Sequence, residues 1–134
     1  MNVSNVFPFL LAITICCSSI ACSDSEGRRY SVKGIVSFQG QPVPSGNIVF
    51  EPNADKGESG RACMAMIHNG EYAVSADGGV LPHSYHVRVT GYSGGSRDSG
   101  ASGGDVKELF PEYVTENTFD PENAVLDIEV PAKK

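Results

Sequence analysis

Apolar and polar residues alternate in short runs along the chain from Tyr30 onward. Such alternation is typical of β-strands that place one face against a core. The clearest runs cover residues 30–38, 47–51, 84–92 and 125–130, and Gly, Pro, Asn and Asp separate them. No stretch repeats apolar residues at the spacing of an amphipathic helix. The pattern therefore predicts an all-β domain whose short strands are joined by turns.

A hairpin is the strongest local prediction. Asn69-Gly70 lies between two strand-like runs and favours a two-residue type I′ turn. Because the turn sets the register, it also decides which side chains share a face. The expected pairs are His68 with Glu71, Ile67 with Tyr72, and Ala65 with Val74.

Alternation also assigns core-facing side chains. Gly34 falls on the apolar face of the first run, where a missing side chain lets a neighbouring segment approach closely. Met64, Met66 and Ala73 are expected on the outer face of the hairpin, and residues 109–113 are expected to pack back on the core. The predicted core-facing residues are Tyr30, Val32, Val36, Phe38, Ile48, Phe50, Cys63, Ala65, Ile67, Tyr72, Val74, Tyr85, Val87, Val89, Leu126, Ile128 and Val130.

The number of strands predicts the architecture. About seven short strands in roughly 100 residues are expected for an antiparallel β-sandwich, here residues 30–131. A domain of this size can bury enough surface without metals or disulfides. Residues 93–104 are rich in Gly and Ser and contain no large apolar side chain. They are predicted to form a mobile loop within the domain.

The first 21 residues carry no charged side chain and contain an apolar run at positions 6–15. This run has the length of a signal-peptide core and is too short to span a bilayer comfortably. The following Ser19-Ile20-Ala21-Cys22 resembles the bacterial lipobox, which implies cleavage before Cys22 and lipid attachment to its thiol. Ordinary signal-peptidase cleavage at the same bond is the alternative, because Ser19 and Ala21 are both small.

Residues 22–29 are polar and are predicted to form a tether. Cleavage would leave Cys22 and Cys63 as the cysteines of the mature chain. If Cys22 is acylated, no internal disulfide is possible; otherwise it could pair with Cys63 or with another chain. We expect a protein exported to the cell envelope and held on a membrane by lipid, the outer membrane in a diderm bacterium. Without the lipid it would be periplasmic or extracellular.

Seven motifs occur in a fixed order within residues 30–130. Their order resembles that in small bacterial envelope lipoproteins with a carboxypeptidase-regulatory-like domain, which is similar to transthyretin-like (prealbumin-like) and Ig-like sandwiches. The resemblance implies a non-enzymatic domain with a structural, adhesive or protein-binding role. The motifs are Val32-Lys33-Gly34-Ile35-Val36, Gly40-Gln41-Pro42-Val43-Pro44, Gly46-Asn47-Ile48-Val49-Phe50-Glu51-Pro52, Asn69-Gly70-Glu71-Tyr72, Gly79-Val80-Leu81-Pro82, Tyr85-His86-Val87-Arg88-Val89, and Leu109-Phe110-Pro111-Glu112-Tyr113 with Thr118.

Net charge and the placement of histidines and acidic residues argue against nucleic-acid binding and against a metal site. The chain of 134 residues has a formal net charge of −6 and no basic patch, which argues against nucleic acid as a partner. His83 and His86 are predicted on opposite strand faces and His68 at a distant hairpin tip, so no metal site is expected. Eight acidic residues between positions 105 and 129 include Asp120 and Glu122, with Asn123 beside them. Since no calcium-loop motif is present, a solvated acidic face is preferred over a calcium site.

The serines and Cys63 provide no candidate catalytic site. No serine has His and Asp partners placed to activate it. Cys63 is predicted to be an inert core thiol. We therefore predict no enzyme, no catalytic residue and no cofactor, and the ligand-binding residues remain unknown. The favoured function is an envelope-anchored binding or scaffold module. Its own exposed strand edges would pair with a strand of an envelope protein. The alternative is a small-ligand or carbohydrate-binding accessory domain that uses Tyr92 and the region up to residue 108 to bind a glycan.

Overall fold

The computed structural model describes residues 27–94, 106–120 and 124–132. Within these ranges the chain forms β-strands and two short 3-10 helices, in agreement with the all-β prediction. The predicted signal peptide at 1–21, the lipidation site Cys22, most of the tether and residues 95–104 of the predicted loop lie outside the described residues.

Eight strands occur within these described ranges. The longest strand, β7, is not predicted from the sequence. The next two are: β6 coincides with the predicted run at 84–92, and β3 extends the predicted run at 47–51. The strands are β1 (Val32–Phe38), β2 (Gln41–Pro42), β3 (Ser45–Pro52), β4 (Cys63–His68), β5 (Glu71–Val74), β6 (Ser84–Tyr92), β7 (Glu108–Thr118) and β8 (Ile128–Val130). The 3-10 helices cover Ala54–Lys56 and Ala76–Gly78.

The strands form a curled sheet in the order β2-β1-β5-β4-β3-β6-β7, with β8 beside β1. Neighbouring strands are antiparallel except β8, which runs parallel to β1 with Ile128 opposite Val36. The predicted antiparallel pairing is thus confirmed for β1 to β7, and the closing strand β8 departs from it. After β7 the chain reverses direction, so β8 runs the same way as β1. Because β8 pairs with β1 and not with β7, this pairing is parallel.

The hairpin turn is confirmed, whereas its ladder is shorter than predicted. Asn69 and Gly70 have φ angles of 49° and 84°, the left-handed pair that a type I′ turn requires. His68 pairs with Glu71, and the β4–β5 ladder contains no further pair. The predicted pairs Ile67–Tyr72 and Ala65–Val74 are absent because β5 turns to pair with β1, where Val74 lies opposite Val32, and β4 pairs with β3.

The predicted inward faces form the core. Tyr30, Phe38 and Leu126 are only partly buried, while Met64 on the outer face is 60% exposed. The remaining predicted core residues are all buried: Val32, Val36, Ile48, Phe50, Cys63, Ala65, Ile67, Tyr72, Val74, Tyr85, Val87, Val89, Ile128 and Val130. Val43, Val80, Leu81, Phe110 and Phe119 add to the buried set.

Gly34 lies where a neighbouring segment approaches closely, as predicted. A Cβ built on Gly34 would lie 1.9 Å from the carbonyl oxygen of Leu126. The same oxygen accepts a hydrogen bond from the Tyr72 hydroxyl at 2.7 Å, and burial together with the charge of Asp127 raises the pKa of Tyr72. The absence of a side chain at residue 34 thus lets the segment before β8 lie against β1.

Candidate functional site

The sheet ends in an open strand edge at β7. Within the described residues β7 pairs only with β6, and the other end of the curl carries β8, which pairs only with β1. The outward backbone groups of β7 therefore have no ladder partner in the part of the chain that the structure describes. An unpaired edge of this kind can accept an added strand from another chain.

The two halves of the β7 edge differ. Near Pro111 the pairing with β6 shifts register twice, between Val89 and Gly91 and again between Gly91 and Tyr92. Proline and β-bulges are devices that discourage strand addition at an edge. From Tyr113 to Thr118 the register with β6 is regular. The second half of β7 is thus the part that can accept a strand, and we refer to residues 113–118 as the open edge.

Two of the three glutamates of β7, Glu112 and Glu116, form ion pairs with residues of neighbouring elements. Arg88 donates to Glu51 at 2.7 Å and to Glu112 at 2.9 Å, and these hydrogen bonds raise the pKa of the guanidinium. Glu116 forms an ion pair with Lys56 and accepts a hydrogen bond from the Ser84 hydroxyl at 3.1 Å. The pKa of Glu116 is lowered mainly by its hydrogen bond with Lys56. Because both carboxylates already have partners, they leave the open edge without an unpaired charge.

An apolar groove borders the start of β7. We call it the seam groove, since it lies between β7 and the ends of β1 and β8. Its volume is about 440 Å³, within the range of small binding pockets. Among the described residues that line it, Glu112 is the one with a charged side chain, and it is paired with Arg88. The principal lining residues are Phe38, Leu109, Phe110, Tyr113, Val130 and Pro131.

His86 lies on β6 opposite Glu116 of the open edge, and His83 just precedes β6, whereas His68 is the last residue of β4. His83 Nδ1 lies 3.4 Å from Glu58, and His86 Nε2 lies 3.8 Å from Asp55. Both imidazoles therefore approach the loop after β3, because His83 precedes β6 and does not follow its alternation. His68 is exposed at the end of β4. No group of three or more metal-ligating side chains occurs among the residues described, and Glu122 and Asn123 of the calcium hypothesis lie outside them.

Cys63 is a free thiol buried in the core, as alternation predicts. Burial raises its pKa, and the positive charges of Arg29 and Arg61 partly oppose that shift. A raised pKa keeps the thiol protonated, so it is a weak nucleophile at neutral pH.

Ser93 is a candidate that sequence reasoning misses. Residues 91–95 read Gly-x-Ser-x-Gly, the pattern of a nucleophile elbow. Ser93 lies directly after β6, and its backbone N–H donates to the Lys107 carbonyl oxygen at 2.9 Å. Residues 95–105, where an elbow would require a helix, lie outside the described residues. Of the alternative site at 92–108, only residues 92–94 and 106–108 are described, and Tyr92 is half-buried.

Comparison of the chain with protein-family models, with curated proteins and with solved structures finds no match. Within the ranges described, no helix has the length and apolar character needed to cross a membrane.

Proposed function

We propose that this protein is an exported, lipid-anchored, non-enzymatic β-sandwich module that binds another protein at the cell envelope. The open edge at residues 113–118, next to the apolar seam groove, is the observation that carries this proposal. An added strand obtains backbone hydrogen bonds from such an edge, and an adjoining groove contributes side-chain specificity.

Contacts between the two halves of the curled sheet support the sandwich architecture. The ring of Phe50 on β3 lies 6.0 Å from that of Tyr72 on β5. The ring of Phe38 on β1 lies 5.0 Å from that of Phe110 on β7. The single ladder pair between β4 and β5, which joins the two halves, supports the proposal that they act as two layers. The ordered motifs that resemble carboxypeptidase-regulatory-like domains favour the same architecture and the same role.

The relative positions of the tether and the groove fit an anchored module. The tether leads into the start of β1, where the Tyr30 backbone pairs with Val80. The seam groove lies at Phe38, the last residue of β1. A strand of this length spans roughly 20 Å, so the groove lies about that far from the point where the tether enters β1.

The anchor is tested by replacing its cysteine. Cys22→Ala should move the protein from the membrane to the soluble fraction of a bacterial host and abolish labelling by a clickable fatty acid. Cys63→Ala is the matched control, because it removes the buried thiol and leaves the lipobox unchanged. Membrane attachment and labelling that persist in Cys22→Ala would rule out the lipid anchor.

The binding edge is tested separately by photo-crosslinking in intact cells. A photoreactive amino acid placed at Val114, which is 45% exposed on the open edge, should form a covalent adduct with a partner protein. The same group at Met64, which is 60% exposed on the outer face of β4, is the control. Adducts at Val114 alone are expected. Equal adducts at both positions, or none at Val114, would contradict protein binding at this edge.

A further inference from the structure

A second concave surface lies on the outer face of the sheet, where β4, β5, β1 and the segment before β8 run side by side. We call it the outer trough. Its volume is about 800 Å³, large enough for a small organic molecule. Its lining includes Lys33, Ile35, Met66, Glu71, Ala73 and Val125.

The strand registers explain why the trough exists. Lys33 on β1 lies opposite Ala73 on β5, and next along the same face Ile35 lies opposite Glu71. Ala73 is the smallest of these side chains and leaves a depression between its neighbours. Ile35 and Val125 are 50% and 52% exposed beside it. The trough therefore has a shallow floor and exposed apolar walls.

Two opposite charges border this depression without neutralising each other. Lys33 and Glu71 are diagonal neighbours on adjacent strands, a separation of about 7 Å between side-chain origins. Neither side chain forms an ion pair with any residue that the structure describes, in contrast to Arg88 and Lys56 on the other half of the sheet. Asp127, the other acid at the trough, is held by the Ile35 backbone N–H at 2.8 Å.

We propose that the outer trough binds a free α-amino acid with an apolar side chain. The carboxylate would accept hydrogen bonds from the Lys33 ammonium, and the ligand's ammonium would donate to Glu71. Both side chains are long and flexible, so their charged ends can reach the two ends of a ligand that lies over Ala73. The apolar side chain would lie against Ile35, Val125 and Met66. A ligand with one charge or without the side chain would lose one of these three contacts.

The test titrates L-leucine into the isotope-labelled, purified protein and follows backbone amide shifts by NMR. Saturable shifts should concentrate at residues 33–35 and 71–73. N-acetyl-leucine, leucine amide and glycine each lack one recognition element and should bind about two- to fivefold more weakly, as expected for one exposed polar or apolar contact. Shifts that leucine and glycine produce equally, or shifts outside the trough, would overturn the proposal.

Variants separate recognition from general charge effects. Lys33→Gln and Glu71→Gln should each weaken leucine binding. Lys107→Gln removes the same charge as Lys33→Gln at a position outside the trough and should leave leucine binding unchanged. The double variant Lys33→Glu with Glu71→Lys should bind again, because a zwitterion can turn end for end. Failure of the double variant to bind, with its circular dichroism unchanged, would contradict recognition by two opposite charges.

Discussion

Gly34 is the position where one added methyl group should disturb the fold most. In Gly34→Ala the new Cβ would lie 1.9 Å from the Leu126 oxygen, against a practical limit of 3.0 Å, so the segment must move by about 1 Å. Three hydrogen bonds depend on its position: Tyr72 to Leu126 at 2.7 Å, Leu126 to Lys33 at 2.9 Å, and Lys33 to Ala124 at 3.1 Å. At about 1 kcal/mol each, their weakening predicts a loss of up to about 3 kcal/mol in the free energy of unfolding.

Urea unfolding followed by far-UV circular dichroism measures this loss, since the chain has no Trp for fluorescence. Gly78→Ala is the matched control, because nothing lies within 4 Å of its Cβ and its φ is not positive. We expect the control to change the free energy of unfolding by less than about 0.5 kcal/mol. If Gly34→Ala were as mild as Gly78→Ala, the close approach of Leu126 to β1 would be wrong.

Three further predictions concern the core and the surface carboxylates. Cys63 should react with a thiol reagent only after denaturant is added, because it is buried and its pKa is raised; rapid native labelling would show that its face is exposed. Val74→Asp should lower the free energy of unfolding by more than about 3 kcal/mol, because it buries an unpaired charge. Met64→Asp, at a site 60% exposed, should lower it by less than about 0.5 kcal/mol. The reverse order in urea unfolding would show that the assignment of core and outer faces is wrong. The pKa values of Glu116 and Glu129 are lowered in the folded protein, mainly by hydrogen bonds from Lys56 and Ser37, so their stabilisation is present above the ordinary value of 4.5 and is lost as the pH falls through the folded pKa. Glu116→Gln with Glu129→Gln should therefore flatten the acid side of the stability profile, and an unchanged profile would contradict these hydrogen bonds.

Local pattern was sufficient to predict the parts of the fold that depend on adjacent residues. Alternation identified the buried side chains because a strand with one face in the core must place every second residue there. The Asn69-Gly70 turn followed from the positive φ angles that these two residues tolerate. The close packing at Gly34 followed from its place on an apolar face.

The parts that depend on distant residues could not be predicted. β7 contains Pro111 and a mixture of polar and apolar residues, so its alternation is weak, and it forms a strand because β6 lies beside it. The parallel pairing of β8 depends on which strand is nearest when the chain returns from β7. The open edge and the outer trough both result from strand order, and for that reason neither site had a motif in the sequence.

The uneven protection of the β7 edge favours a role for its second half. Natural sheets guard exposed edges with proline, bulges, charges or very short strands. Within the described residues, Pro111 and two register shifts guard the first half of β7, and β8 at the opposite edge is only three residues long. Residues 113–118 have regular pairing and an exposed Val114, and Glu116 among them is held by Lys56 instead of repelling an incoming strand. An edge left open in this way is costly for a protein that must avoid aggregation, so a binding function for this stretch explains both the protection of its neighbours and its own lack of protection.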